Sequence, residues 1–524
     1  MRKALFYLLM IGFQVVLFGA AAYFTLPMIT ARLKPQLFSY MAANLSDAER
    51  EEMYTKIAES FGSAWETTPD PNVGRLARKK WKGVVNQADI TTNNAGLRSS
   101  RVYEPKKRNT FRIVCLGDSF VFGGGGREED RFCNQIEDFY TENNIRPDGR
   151  KIETYALGLG SWTLVQEATY LSRRISEYDP DVIVMLSVAN DITESSGVTG
   201  AGVVTRDFGI DSRRWGSGIF HNTANVPYKG AGYSAIQWDL SPASRGEWER
   251  GFTALKRLVE LQHQRDGKML FSVLNSNNAN DDFSNAFCEI FKTHLREHGL
   301  EDPVLEVTYQ KSQDEMRLPH DGHPSRLGHG SLRDQYVLAL DDLGWVELDE
   351  AQRPTLLPGI ELMLGNEPNE DQIAAFKSFY AERYLREKLD FGKLRPRESN
   401  ALLGGIFPER KANASVGLPW ASIRAGFLLY RKEPAETAEL VIRVPERMEL
   451  FPFRLEAFVN GELVLTEELA STADAGEKTL SLPLTKANPI LDEIVEITLY
   501  TDSYFGGISD GRMKSYQLVS AELR

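Results

Sequence analysis

Short apolar runs alternate with longer amphipathic stretches through the middle of the chain. The apolar runs are partly β-branched, which is typical of buried strands, whereas the stretches between them repeat apolar residues with helical spacing. A strand, helix, strand series forms a parallel sheet that is covered by helices on both faces. The pattern therefore predicts an α/β fold whose ligands bind at the carboxyl ends of the strands. The predicted strands are 111–116, 152–157, 182–186 and 269–274, and the clearest predicted helices are 164–178 and 247–263.

The pattern changes after residue 395, where short strands follow one another without helices between them. The dipeptide Asn460-Gly461 is a strong signal for a two-residue β-hairpin. These features predict an antiparallel β-sandwich over 396–524, reached through a helical connecting segment over 348–395. A carbohydrate-binding role and a purely structural role both fit such a module. The predicted strands of the sandwich are 425–430, 440–444, 455–459, 463–465, 479–484 and 494–500.

The amino terminus carries two cations at positions 2 and 3, followed by an uncharged, mostly apolar stretch over 4–31. Such a stretch is long enough to cross a hydrocarbon layer of about 30 Å as a helix, so we expect a transmembrane anchor over 1–34. A cleaved signal peptide is the alternative, because small residues over 19–22 follow an apolar region. Both interpretations place the rest of the chain outside the cytoplasm, in the periplasm or the cell exterior. A helical linker region over 35–90 follows.

Residues 195–240 interrupt the α/β pattern and are rich in Gly, Ser, Thr and Asn, with aromatic residues interspersed. A long insertion of this kind is usually functional or mobile. The aromatic rings either stack on a sugar or pin the insertion to the body of the protein. The candidate substrate-binding residues on it are Trp215, Tyr228, Tyr233 and Trp238.

Charge and cysteine content exclude two classes of protein. The 524 residues carry a formal net charge of −12, so no net positive field draws the chain onto nucleic acid, and nucleic acid is not expected as a partner. The three cysteines, Cys115, Cys133 and Cys288, form neither a CxxC metal motif nor a dense disulfide framework. At most one disulfide can form and none is required, and Cys115 is expected to be a packing residue of a buried strand.

One predicted strand runs directly into the tripeptide Gly117-Asp118-Ser119, with four glycines over 123–126 just beyond. The glycine run lacks the Lys-Ser/Thr pair of a phosphate-binding loop, which argues against a nucleotide site. A serine at the carboxyl end of a buried strand lies where a nucleophile is useful. A plain surface turn is the alternative for this tripeptide taken alone.

Three further segments supply the other groups that acyl transfer needs. Gly158 and Gly160 follow the second strand, where glycine lets a substrate approach backbone amides, and Asn190 follows the third strand. Asp321 and His323 lie together in a short loop ahead of a helix. A serine, amide donors and a His/Asp pair are the equipment of a serine nucleophile with an oxyanion hole.

The four segments, in this order, resemble the blocks of the SGNH, or GDSL-type, hydrolases over about residues 90–345. The upstream segment over 94–98, Asn-Ala-Gly-Leu-Arg, resembles the lead-in of membrane-anchored members. The resemblance implies a flavodoxin-like, three-layer hydrolase domain over 91–347 with no cofactor and no metal. It also implies a role for each site residue: Ser119 is the nucleophile, His323 is its base, Asp321 orients the imidazole, and the oxyanion hole is formed by Ser119, Gly160 and Asn190.

The chain departs from the family pattern at three places. The second block begins with Ala156 in place of the usual Asn, and the oxyanion glycine aligns with Gly160 or with Ser161. The third block has Val188 in place of Gly. The last block has Asp two residues before His instead of three, a spacing that also occurs in related polysaccharide O-acetyltransferases.

The histidines offer one alternative to this site. His320 and His329 lie close enough in sequence to Asp321 and His323 to suggest a metal site, but the family resemblance needs no metal. The other four histidines are expected on loops or helix surfaces: His221, His263, His294 and His298.

The sequence therefore predicts a membrane-anchored, exported esterase that hydrolyses carboxylic esters through an acyl-serine intermediate. Its expected substrate is an O-acetylated polysaccharide, by analogy with relatives that carry similar modules. One alternative is a polysaccharide O-acetyltransferase that uses the same triad, and another is a catalytically inactive glycan-binding assembly protein. A lysophospholipase role is also open, because an anchor would keep the site near lipid.

Overall fold

The computed structural model describes most of the chain after residue 63, and the structural statements that follow concern these residues. The predicted anchor over 1–34 and the aromatic insertion over 195–240 lie outside them. No helix in this part of the chain combines the length and the apolar character that crossing a membrane requires. The described residues are 64–67, 73, 75–85, 88–160, 162–193, 245–275, 282–310, 313–318, 323–391, 402–410, 416–488, 491–501, 505–506, 513–514 and 516–524.

Two small antiparallel pairs of strands precede a six-stranded central sheet. They lie in the region over 35–90, whose described residues therefore form β-strands and not the expected helical linker, because the strands pair with each other. The central sheet has the order β10-β9-β8-β7-β5-β6, and its strands are parallel except β10, which pairs antiparallel with β9. Numbered along the chain, the parallel strands follow the flavodoxin-like order 2-1-3-4-5. This confirms the predicted α/β fold with a mostly parallel sheet. The strands are β1 (Trp65–Thr67), β2 (Arg75–Ala77), β3 (Lys82–Val85), β4 (Ala88–Thr91), β5 (Thr110–Gly117), β6 (Lys151–Gly158), β7 (Val182–Ser187), β8 (Lys268–Leu274), β9 (Val304–Val307) and β10 (Met363–Leu364).

Helices cover both faces of the central sheet. Alternate residues of β5 point to opposite faces, as the strand period requires. Leu116 belongs to the core that also contains α3, α5 and α6, and Ile113 belongs to the core that also contains α2 and α7. Since both faces are buried, β5 and β7 are apolar along almost their whole length. The helices are α1 (Ser119–Phe122), α2 (Phe132–Glu142), α3 (Leu164–Tyr178), α4 (Asn190–Thr193), α5 (Arg245–His263), α6 (Asp282–Glu297), α7 (Arg326–Asp342) and α8 (Glu370–Tyr384).

The carboxyl-terminal region is antiparallel, as expected, but hydrogen bonds join its strands into one nine-stranded sheet. The strands connect because β13 is fifteen residues long and pairs with β12, β18 and β21 along its length. Asn460 and Gly461, both with positive φ, link β15 to β16 as the predicted hairpin. The strands are β11 (Lys388–Asp390), β12 (Leu402–Arg410), β13 (Val416–Tyr430), β14 (Thr437–Val444), β15 (Phe453–Val459), β16 (Glu462–Leu469), β17 (Gly476–Pro483), β18 (Ile494–Thr501) and β21 (Tyr516–Leu523), with β19 (Phe505–Gly506) and β20 (Met513–Lys514) forming a separate pair.

A disulfide joins Cys115 on β5 to Cys133 in the first turn of α2. Both cysteines are fully buried, and Cys288 is a buried free thiol. Cys115 is buried, as expected of a packing residue, and the one disulfide that the sequence allowed is present. It ties the strand that leads to Ser119 to the helix packed beneath it.

Replacing both Cys115 and Cys133 by Ala should lower the free energy of unfolding by about 3 kcal/mol or more. The loop closed by the disulfide spans 18 residues, and opening it returns chain entropy to the unfolded state. Denaturant unfolding of the full chain in detergent, with and without a reductant, measures the change. The reductant should destabilise the wild type and leave the double variant unchanged.

The Cys288→Ala variant is the matched control, because it loses one buried sulfur but no crosslink. It should respond to the reductant as the wild type does. A double variant that is destabilised further by the reductant would contradict the crosslink.

Candidate active site

Ser119 lies at the junction where β5 ends and the short helix α1 begins. The Asp118 carboxylate caps this helix by accepting a hydrogen bond of 2.9 Å from the Phe120 N–H. Gly117 is needed before it, because a Cβ at this position would lie 2.7 Å from the Leu186 carbonyl oxygen on the neighbouring strand. The tight junction leaves the Ser119 side chain half-buried at the carboxyl edge of the sheet.

His323 reaches this serine from a segment more than two hundred residues further along the chain. Its Nε2 lies 2.7 Å from Ser119 Oγ, which is hydrogen-bond distance. The Phe120 ring packs against the imidazole with centroids 4.9 Å apart. The backbone of the glycine loop also approaches closely, since a Cβ on Gly124 would lie 3.7 Å from the ring. The imidazole is therefore positioned beside the serine by an aromatic side chain and by backbone.

The segment that carries His323 is anchored at both ends by hydrogen bonds. The Leu318 N–H donates to the His323 carbonyl at 2.9 Å, and the Ser325 N–H donates to the Met316 carbonyl at 3.0 Å. The Ser325 hydroxyl then caps α7 by accepting from the Gly328 N–H. These contacts fix the backbone on both sides of the imidazole.

Asp118 is the second polar neighbour of the nucleophile. Ser119 Oγ lies 3.1 Å from Asp118 Oδ2, and the carboxylate is fully buried. Just beyond the neighbouring strand β7, the Asp191 carboxylate on α4 accepts a hydrogen bond of 2.7 Å from the Val188 N–H. Both carboxylates shape their loops by hydrogen bonding.

Two of the expected oxyanion-hole residues lie at the same edge of the sheet. A Cβ on Gly160 would lie 3.9 Å from Ser119 Cβ, so this glycine is adjacent to the serine and leaves open space there. Asn190 begins α4 directly beyond β7, the neighbour of β5. Asp321, His320, Ser161 and the aromatic residues Trp215, Tyr228, Tyr233 and Trp238 lie outside the described residues.

A group of buried cations lies behind the glycine loop and was not predicted. Arg98 donates hydrogen bonds to the carbonyls of Phe122, at 2.9 Å, and of Gly126, at 2.5 Å. Burial lowers the pKa of Arg98 to about 10 and that of Arg131 to about 9. Arg98 is the last residue of the 94–98 lead-in. That resemblance was the only sequence signal for its position behind the glycine loop.

His329 is buried beside these cations. Burial, together with the charges of Arg131, His323 and Arg98, lowers the pKa of His329 to about 3, so its imidazole is neutral at physiological pH. A cationic surrounding also repels a metal ion. His329 is therefore a packing residue, stacked on Phe132 with centroids 6.1 Å apart.

Glu167 on α3 is a second unpredicted group near the nucleophile. Its side chain is fully buried, and neither carboxyl oxygen has a hydrogen-bond partner among the described residues. Burial, with a smaller effect from the charge of Asp118, raises the pKa of Glu167 well above its usual value. No sequence motif marks it, because it occupies an ordinary helical position.

The Glu167→Gln variant should be more stable than the wild type at neutral pH and nearly equal to it in acid. A raised pKa means that the folded state binds the proton more tightly, so wild-type stability falls as pH rises above the unfolded-state value, near 4.5. Glutamine does not ionise and escapes this loss. Denaturant unfolding across the range from about pH 4 to pH 8 tests the prediction.

The exposed Glu177 on the same helix provides the control. Its Gln variant should follow the wild-type pH dependence. A stability gain for Glu167→Gln that does not change with pH would show that its carboxyl group is not held neutral.

The geometry brings a serine, an imidazole and a glycine backbone together at the carboxyl edge of a parallel sheet. A serine hydroxyl bonded to an imidazole is the nucleophile and base arrangement of serine hydrolases. No protein-family model matches the chain, and no curated protein matches it either. The chain is instead similar to solved structures.

These solved structures include esterases and a GDSL-like lipase, each at low identity. One is a two-domain esterase active on acetylated mannans, with 11% identity, coverage of 79% of this chain and 90% of that chain, and a TM-score of 0.27. Another is an acetyl xylan esterase, with 13% identity, 44% and 100% coverage, and a TM-score of 0.27. A GDSL-like lipase from Bacteroides thetaiotaomicron has 12% identity, 46% and 93% coverage, and a TM-score of 0.26. Likeness at this level carries no argument about substrate, so the function is argued from the site.

Proposed function

We propose that the chain is an SGNH-type serine esterase that opens carboxylic esters through an acyl-Ser119 intermediate. The observation that carries this proposal is the 2.7 Å contact between Ser119 Oγ and His323 Nε2. In the first step Ser119 Oγ bonds to the acyl carbon while His323 Nε2 takes the hydroxyl proton. The proton then passes to the leaving alkoxide as the ester bond breaks. Water repeats the sequence in the second step, giving the free acid and restoring the serine.

The developing oxyanion needs donors on the side away from the imidazole. In this proposal the backbone N–H groups of Ser119 and Gly160 and the side-chain amide of Asn190 supply them. Gly160 is adjacent to Ser119 Cβ, and Asn190 begins the helix after the neighbouring strand, so all three share one edge of the sheet. Asp321 is proposed to hold the imidazole in the tautomer that accepts the serine proton.

The substrate is proposed to be an O-acetyl group on a polysaccharide. Support comes from the aromatic residues of the 195–240 insertion, whose rings suit stacking on sugars, and from the additional carboxyl-terminal β module. A polysaccharide O-acetyltransferase is the second candidate, because Asp321 precedes His323 by two residues. In a transferase a sugar hydroxyl replaces water in the second step.

An assay with an acetyl-ester donor separates the candidates. The purified full chain in detergent should release acetate from p-nitrophenyl acetate and from acetylated oligosaccharides. The Ser119→Ala variant should release it at least about 10³-fold more slowly. A fluorophosphonate should label the wild type and not the variant.

A second reaction contains the acetyl-ester donor together with non-acetylated oligosaccharide, which can accept the acetyl group in place of water. If acetylated sugar is the main product, the proposed function is acetyl transfer and not hydrolysis. Glycan binding without turnover or labelling would favour the inactive assembly protein.

We also propose that the chain is anchored in the membrane and that its catalytic domain is exported. Support comes from the apolar stretch over 4–31 and from the disulfide between Cys115 and Cys133, since such crosslinks persist in oxidising compartments. Both observations point to the outside of the cytoplasm.

Counting reactive thiols tests the export. Cells that express the full chain are quenched in acid, and the protein is denatured and labelled with a maleimide. Of the three cysteines, only Cys288 should react in the full chain, whereas all three should react in a variant that lacks residues 1–34. Three reactive thiols in the full chain would overturn the proposal. When only Cys288 reacts, carbonate extraction of membranes distinguishes an anchor from a cleaved signal peptide.

A further inference from the structure

A cluster of histidines and glutamates joins α5 to α6, away from Ser119 and His323. His294, Glu297 and His298 occupy the last turn of α6 and the residue after it, and Glu249 faces them from α5. Residues three and four apart share one face of a helix, so two imidazoles and a carboxylate point the same way. Two histidines one helical turn apart recur as ligands in zinc sites.

Three of the four side chains place donor atoms close enough to share one cation, and His298 lies beside one of them. One ligand atom each from Glu249, His294 and Glu297 lies within 4.8 Å of the others. His298 Nε2 lies 3.0 Å from Glu249 Oε2, and His294 Nδ1 lies 3.4 Å from Glu297 Oε2. Zn²⁺ binds imidazole nitrogen and carboxylate oxygen at about 2.0 to 2.2 Å, which separates neighbouring ligands by slightly more than 3 Å. Reaching this geometry requires side-chain rotation, and both glutamates are exposed.

The hydrogen bonds of His298 show why a cation fits between the two helices. Its Nδ1 lies 2.8 Å from the His294 carbonyl oxygen, which accepts hydrogen bonds only, so Nδ1 carries the proton. The other ring nitrogen, Nε2, faces the Glu249 carboxylate at 3.0 Å. A metal ion bound between these two groups would take one ligand from each helix. Metal-binding histidines are commonly fixed in this way, with the other ring nitrogen donating to a backbone carbonyl.

Aromatic packing fixes the second imidazole. His294, expected on a helix surface, is fully buried, and the Trp248 ring stacks on it with centroids 4.4 Å apart. The Phe252 ring lies 5.4 Å from the same imidazole. Glu249 and Glu297 remain exposed, so an ion reaches the cluster from solvent. The cluster therefore combines a rigid, apolar base with two acidic groups at its entrance.

We propose that Glu249, His294, Glu297 and His298 form a binding site for Zn²⁺ that clamps α5 to α6. Two nitrogen and two oxygen donors suit a borderline transition metal better than Ca²⁺ or Mg²⁺, which prefer oxygen ligands alone. Two carboxylates also balance the charge of a divalent ion. The site is structural and does not depend on the proposed esterase chemistry.

Calorimetric titration with zinc chloride tests the site. The full chain in detergent, stripped with a chelator, should bind one equivalent of Zn²⁺ and gain thermal stability on binding. Glu249→Gln and Glu297→Gln should each weaken binding by about tenfold or more, and the double variant should lose it. These two side chains are exposed, so the variants are expected to fold. Equal Zn²⁺ affinity in the wild type and the double variant would overturn the proposal.

Three controls separate this site from adventitious binding. Glu260→Gln removes an exposed carboxylate elsewhere on α5, and His263→Ala removes an ordinary pair with Asp302, whose atoms lie 2.8 Å apart. His323→Ala removes the imidazole beside Ser119. All three should bind Zn²⁺ as the wild type does, and loss of the single equivalent in His323→Ala would place the ion at the active site and refute the clamp.

Discussion

The hydrogen bond between Ser119 and His323 is the interaction on which the functional argument depends, and the parallel sheet makes it possible. Parallel strands all end at one edge, so β5, β6 and β7 deliver Ser119, Gly160 and Asn190 to the same place. The imidazole comes from outside the sheet, from the segment before α7. Its position depends on hydrogen bonds at both ends of that segment and on the Phe120 ring. The sheet thus fixes the nucleophile, and the loop ahead of α7 brings the base to it.

The Ser119 hydroxyl can donate only one hydrogen bond, and two acceptors lie beside it. These acceptors are Asp118 Oδ2 at 3.1 Å and His323 Nε2 at 2.7 Å. Catalysis requires the proton to go to the imidazole, and the shorter contact favours that partner. The Asp118 carboxylate has a different role, because its Oδ1 atom accepts a hydrogen bond from the Phe120 N–H and so caps α1. The carboxylate therefore builds the turn that presents Ser119, and His323 is the neighbour proposed to activate it.

The sequence predicted the elements whose pattern is strong and local. The strand before Ser119 and the helix over 164–178 match because both combine clear periodicity with glycine or capping signals at their ends. The four-residue strand β9 is too short to produce a pattern, and the pairing of Cys115 with Cys133 depends on how α2 packs under β5. Ordered motifs likewise predicted that Ser119 and His323 meet. They carried no information on how deeply each side chain is buried.

Burial accounts for the groups around the site that the sequence did not reveal. Arg98, Arg131, His329 and Glu167 are polar residues placed behind the glycine loop and the nucleophile, where water cannot reach them. Each costs free energy to desolvate, and Arg98 offsets part of that cost by bonding to the carbonyls of the loop. Those bonds hold the backbone beside His323 in place without filling the open space that a substrate needs. The same residue types on a surface would be ordinary, so their role follows from the packing and not from the sequence pattern.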